Sequence, residues 1–225
     1  MELGVAQLGV VPYAEALELQ LRLRDMRQAG DIGDTLLLLE HPPVYTRGRR
    51  TEPHDLPMGE DWYRDRGIEV HDADRGGRVT YHGPGQLVGY PIMRISEVPE
   101  YVHTMEAAIV AALADEGIDA EVRDGLTGIW AGDGKIGSIG VHVSRGVTTH
   151  GFAVNVDNDL QPFEWVVPCG LDGVRMTSLA QETGRAVDIA CFRKRMAYRF
   201  AQAYRMRQRI TSLDRLVARA PAVVA

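Results

Sequence analysis

Cys169, in "VVPCGLDG" (166–173), stands between a proline and a glycine, a turn setting rather than a helix or strand core. Such a turn suits a nucleophilic thiol, because the sulfur is reachable and a neighbouring backbone N–H can bind an oxyanion. The other cysteine, Cys191, lies on an apolar helical pattern and reads as core packing. A thiol of pKa ~8.5 is only a few per cent thiolate near neutrality. Lowering that pKa by ~1.5 units takes ~2 kcal/mol of selective thiolate stabilisation, which one partly shielded ammonium a few Å away supplies. Lys135, in "GDGKIGSIGVHV" (132–143), is a cation of that kind. An isolated strand lysine is ordinarily solvated, and the sequence alone does not bring Lys135 to Cys169.

The stretch "DADRGGRVTYHGPGQ" (72–86) interrupts a strand with glycine and proline. It lacks both the G-x-G-x-x-G spacing and the G-K-[ST] ending of nucleotide-binding loops. Glycine N–H groups can still cradle an anion or a thin ligand, with Arg75, Arg78, Tyr81 and His82 as polar handles; the alternative is a plain glycine-rich hairpin. His71, Asp72, His82, His142 and His150 show no metal-ligand spacing, so no metal is expected. If "SRG" (144–146) is a three-residue hairpin loop, Gly140 faces His150 and Ser138 faces Phe152, a register that a slip of one residue would invert.

These residues need a scaffold. The chain has 225 residues, 45% of them apolar, enough for one large domain with a sizeable core. A net charge of −6 argues against a broadly basic nucleic-acid surface. No apolar run reaches membrane-spanning length, the N-terminus lacks a signal-peptide pattern, and two cysteines suggest a reducing compartment, so a cytoplasmic location is expected. Strands are expected at 5–10, 35–40, 68–72, 78–82 and 86–94, with "EHPPVYTRGRR" (40–50) as loop. Helices are expected at 13–29, near 59–66, at 101–116 and after Asp188, a good N-cap, with a strand-rich block between. The irregular alternation indicates an α/β or α+β domain with a mixed sheet over 1–210, followed by a mobile tail at 211–225. Arg193, Lys194, Arg195, Arg199, Arg205, Arg207 and Arg209 read either as a solvated face or as a docking face for an acidic partner.

Together, "EHPPVYTRG", "RGGRVTYHGPGQLVGYP", "GKIGSIGVHV…THGFAVNV" and "PCG" resemble the signature of the octanoyltransferases of lipoate biosynthesis over residues 36–185. Gly137 stands where alanine is common in that family. The resemblance implies the biotin/lipoate protein ligase-like fold: a central mixed sheet, a smaller second sheet and flanking helices. It implies transfer of an octanoyl group from octanoyl-acyl carrier protein to a lysine of lipoyl domains, with neither ATP nor a cofactor. The implied acceptors are 2-oxoacid dehydrogenase E2 subunits and the glycine cleavage H protein, served by a monomeric enzyme. Cys169 would carry the acyl-thioester and Lys135 would lower its pKa. Arg75, Gly76, Gly77, Arg78, Val79, Thr80, Tyr81, His82, Ser138, Ile139, Gly140, His150, Gly151, Phe152 and Ala153 would line the acyl site. The main rival is an ATP-dependent lipoate or biotin ligase of the same fold, which has no need of a nucleophile in the "PCG" turn. A cysteine hydrolase and a non-catalytic acyl-binding protein are weaker alternatives.

Overall fold

A computed structural model describes residues 1–167 and 174–218. The chain opens with β1 (Glu2–Val10), α1 (Tyr13–Ala29), β2 (Thr35–Glu40), β3 (Val44–Arg47), a short α2 (Glu60–Arg64), β4 (Glu69–Asp72), β5 (Val79–His82) and β6 (Gln86–Ile92). After α3 (Val98–Ala114) come β7 (Ala120–Arg123), β8 (Leu126–Ala131), β9 (Gly134–Ser144) and β10 (Val147–Asn155). Further on stand α4 (Leu179–Thr183), α5 (Ile189–Ala203), β11 (Arg207–Thr211) and α6 (Leu213–Val217).

Among the described residues, eight strands form one mixed sheet in the order β11-β1-β2-β6-β10-β9-β8-β7, and β4-β3-β5 form a second. The run "TLLLLE" explains how the large sheet is clothed. A strand shows alternate residues to opposite faces, and all four leucines of β2 are fully buried. Leu36 and Leu38 pack in the cluster that holds Met105 and Ile109 of α3 and Phe192, Met196 and Phe200 of α5. Leu37 and Leu39 pack in the opposite cluster, with Ala16, Leu23 and Met26 of α1. The result is three layers, with α1 on one face of the sheet and α3 with α5 on the other. No helix among the described residues is long and apolar enough to cross a membrane.

Four expectations need correction. "VYTR", read as loop, is β3, because it can pair with both β4 and β5. The β9–β10 hairpin has a two-residue loop: Arg145 and Gly146 both have positive φ (47° and 74°), as a type I′ turn requires. Gly140 therefore faces Gly151 and Ser138 faces Ala153, one place off the expected register. Cys191 is exposed and donates to Asp188 Oδ2 at 3.2 Å, because it occupies the first turn of α5 on the side away from Phe192. Residues 211–217, expected as mobile tail, end β11 and form α6, since β11 pairs with β1 and Leu216 is buried.

Candidate active site

Between the α1 face of the large sheet and the small sheet lies a cavity of about 380 Å³, within the range of small-molecule sites. Its lining includes Arg75 to Thr80 and His82, Lys135, Ser138 to Gly140, and His150 to Ala153. The residues of three separate sequence stretches thus meet at one place. Tyr81 is not among the lining residues: its ring packs against Tyr45 and Phe163 in the small sheet's core, on the side of β5 opposite Thr80 and His82. Tyr13, Thr46, Arg50, Val88, Tyr90, Val102 and Thr127 also line the cavity, and sequence reading had not selected them. Cys169 lies outside the described residues.

Lys135 reaches the cavity through a defect in β9. Trp130 pairs with Lys135 and Ile129 with Gly137, so Ile136 is a bulge residue. Directly opposed residues share a face, so the bulge puts Lys135 and Gly137 on opposite faces despite their even spacing. Ile129, Ile136 and Val154 face α3 and α5; Lys135 turns to the other side, with Ser138 and Ala153. The lysine is 2% exposed. Its N–H donates to the Arg175 carbonyl at 2.8 Å and its carbonyl accepts from Thr177 N–H at 3.0 Å. Gly128, with φ +126°, leaves the space its side chain occupies: a Cβ there would overlap Cε and lie 2.6 Å from the Gly137 carbonyl oxygen. Gly128 thus makes room for the Lys135 side chain, a requirement that the sequence signalled only as one more glycine in a strand.

The arginine-glycine loop is held by its own side chains. Arg75 is buried and donates to the Thr46 carbonyl (2.6 Å), Thr46 Oγ1 (2.7 Å) and the Gly76 and Arg78 carbonyls (3.0 and 2.9 Å). Arg78 pairs with the fully buried Asp55 at 2.9 Å, and the Asp55 carbonyl accepts from Val167 N–H. Asp55, through its carboxylate on one side and its backbone carbonyl on the other, thus ties the loop to the segment that ends at Val167. Gly140 makes the close approach possible, since a Cβ there would meet the Gly76 carbonyl at 3.0 Å and Arg75 Cδ at 3.1 Å. The glycine at this position admits another stretch of the chain.

Four histidines stand on or behind the cavity wall. His41 is fully buried; its ring nitrogens meet the Val11 carbonyl (2.6 Å) and Tyr90 Oη (2.7 Å), and burial lowers its pKa to about 4. His82 meets Gln86 Oε1 through Nδ1 at 2.7 Å, and burial holds it well below the usual imidazole range. His150 has φ +57°, rare for a non-glycine residue, and its N–H is held by Gln20 Oε1 at 2.7 Å. Its Nε2 pairs with Asp74 Oδ1 at 2.6 Å, and that hydrogen bond lowers the Asp74 pKa. His142 approaches the other Asp74 oxygen at 3.5 Å. Among the described residues no group of three His, Cys, Asp or Glu side chains is placed to hold a metal ion.

The arrangement brings a buried primary amine, apolar side chains and the imidazoles of His82 and His150 to one cavity, a setting that suits nucleophilic acyl chemistry. The model of the lipoyl protein ligase A/B catalytic domain matches residues 12–201. An octanoyltransferase from Acidobacterium capsulatum is 45% identical over 199 residues, covering 81% of each chain. One from Mycobacterium tuberculosis (strain H37Rv) is 48% identical over 193 residues, 83% of this chain and 80% of that one. Lipoate-protein ligase A bound with ATP superposes with a TM-score of 0.76 at 20% identity, covering 98% and 93%. A bi-partite lipoate protein ligase from Thermoplasma acidophilum gives 0.76 at 17% identity, covering 98% and 91%. The structural likenesses establish the lipoate ligase fold with its large mixed sheet and smaller companion, and the sequence relatives narrow the assignment further. The chain belongs to the lipoyl protein ligase A/B catalytic-domain family and, within it, to the octanoyltransferases.

Proposed function

We propose that this chain takes an octanoyl group from octanoyl-acyl carrier protein onto Cys169 as a thioester and passes it to a lysine of a lipoyl domain. The acceptors are lipoyl domains of 2-oxoacid dehydrogenase E2 subunits and the glycine cleavage H protein. Identity of 45–49% to octanoyltransferases supports the acyl group transferred. The observation that carries the mechanism is the burial of Lys135 on the cavity wall, where its backbone N–H donates to the carbonyl of Arg175, six residues beyond Cys169 in sequence.

In the first half-reaction the Cys169 thiolate attacks the thioester carbonyl and the carrier's phosphopantetheine leaves as a thiolate. The Lys135 ammonium favours the thiolate form of the nucleophile. In the second, the lipoyl-domain lysine attacks the acyl-enzyme, the C–S bond breaks and the amide is released. Thioester exchange is nearly isoenergetic, and amide formation drives the sequence. No cofactor enters. The Arg75–Ala153 lining residues hold the acyl chain, and backbone N–H groups near Cys169 or at Gly76 and Gly77 receive the oxyanion.

Intact-protein mass spectrometry with octanoyl-acyl carrier protein, without ATP, tests this reading beside Cys169→Ser. One octanoyl mass on the wild type, discharged by a lipoyl domain and absent from the variant, is the expected result. Modification of the domain only when ATP and free octanoate are supplied would move the chain to the ligase reaction.

A further inference from the structure

The hydrogen bonds behind His82 settle which of its nitrogens carries a proton. Asn155 Nδ2 lies 2.9 Å from the Thr177 carbonyl oxygen, an acceptor only, which fixes the Asn155 amide with Oδ1 toward Gln86. Gln86 Nε2 donates to that Oδ1 at 2.9 Å and to the Tyr81 carbonyl at 3.2 Å. Both ends of the chain of amides are thus oriented by backbone carbonyls, and neither can flip without facing oxygen to oxygen. Gln86 Oε1 therefore faces His82 Nδ1 as an acceptor at 2.7 Å, and Nδ1 carries the hydrogen. In a neutral imidazole the other nitrogen then holds a lone pair. No described residue hydrogen-bonds Nε2, and His82 lines the cavity.

The network also connects His82, link by link, to the backbone of Lys135. Gln86 pairs with Asn155, Asn155 donates to the Thr177 carbonyl, and Thr177 N–H donates to the Lys135 carbonyl. His150 sits opposite Val141 on β9. Its Nε2 is engaged by Asp74, and both nitrogens of His41 are engaged.

We propose that His82 Nε2 is the proton acceptor for the incoming lysine amine, and that Gln86 and Asn155 are positioning residues that hold the imidazole in the required tautomer. The assignment rests on the acyl-enzyme reading above. The uncharged amine attacks the thioester carbon; as the C–N bond forms, nitrogen becomes positively charged and its proton far more acidic. That proton passes to Nε2. The C–S bond then breaks with its electron pair on sulfur, leaving amide, thiolate and imidazolium. The imidazolium returns its proton to solvent or to the pantetheine thiolate expelled in the next turn.

The test uses octanoyl-loaded enzyme freed of donor and mixed with lipoyl domain, with loss of the acyl mass timed by mass spectrometry. His82→Asn retains an N–H to meet Gln86 and removes only Nε2. Discharge by the domain is expected to slow by ~10²–10⁴, with loading of Cys169 slowed less than tenfold. Equal slowing of both half-reactions, or undiminished discharge, overturns the proposal. Long-range proton–nitrogen correlation spectra of histidine-labelled wild type at neutral pH should show His82 as the Nδ1–H form. The Nε2–H form or an imidazolium overturns it independently of activity. Gln86→Leu, which removes the acceptor that holds Nδ1–H, should mix the tautomers and slow discharge. A wild type that never gains the acyl mass defeats the acyl-enzyme reading itself, and the spectra then tell the two failures apart.

Discussion

Gly128→Ala isolates the seating of Lys135 from the lysine itself. Gly128 has φ +126°, a region essentially confined to glycine, so any side chain there costs about 1–3 kcal/mol. A chain of this size loses about 2–4 °C of melting temperature per kcal/mol, so a fall of several degrees is expected. The added methyl would overlap Lys135 Cε and lie 3.1 Å from Nζ. The Gly137 carbonyl on its other side, 2.6 Å away, belongs to the sheet backbone and cannot yield. The lysine must therefore move by about 1 Å, and a misplacement of that size in a reacting site costs on the order of 10²-fold. The assay is the rate of octanoyl loading by mass spectrometry, alongside the pH dependence of Cys169 alkylation. Loading should fall by about that factor, and the alkylation midpoint should rise as the ammonium withdraws. Gly132→Ala is the control: φ is +49° and nothing lies within 4 Å, so it brings backbone strain without touching Lys135. A Gly128→Ala enzyme that melts lower but loads and alkylates like Gly132→Ala would refute the idea that Lys135 is seated by this glycine.

Three further outcomes follow from the packing and the ion pairs. Phe200→Ala opens the fully buried α5 interface against Phe152; scanning calorimetry should show a loss of roughly 3–5 kcal/mol, about 10 °C, and KM for an octanoyl thioester should rise because Phe152 lines the cavity. The Asp74 carboxyl is held below its usual range chiefly by the hydrogen bond from His150. Its contribution is present above the unfolded carboxyl pKa of ~3.9 and is lost as pH falls through the lower folded value. Melting curves of wild type and Asp74→Asn should thus differ at pH 7 and converge below about pH 4; a gap that persists in acid would show that the pair is not the cause. Arg199 pairs with Asp115 through two nitrogens and Arg195 with Glu116 at 3.3 Å. Charge reversal at either arginine should therefore change KM for acyl carrier protein and for a short soluble thioester equally; a selective rise for the carrier would restore α5 as a docking face.

Much of the local structure followed from the sequence because its causes are local. A continuous apolar run made "TLLLLE" a strand covered on both faces, helical spacing marked 13–29, and Asp188 capped α5 as its side chain predicted. The glycine-rich stretches and Lys135 were legible as chemistry because their residue types are poor choices for an ordinary strand. What the tertiary structure decided was orientation. The bulge at Ile136 turns Lys135 to the cavity side, a one-residue event that no local pattern announces. The two-residue turn at Arg145 and Gly146 set the pairing of β9 with β10 and moved every cross-strand neighbour by one place. Cys191 faces solvent because it lies off the stripe of Ile189, Phe192 and Met196 that α5 packs into the core. The amide relay from Thr177 to His82 joins residues up to 95 positions apart. Sequence names such donors and acceptors; only the sheet register brings them within hydrogen-bond distance and so determines which nitrogen of His82 is left with a lone pair.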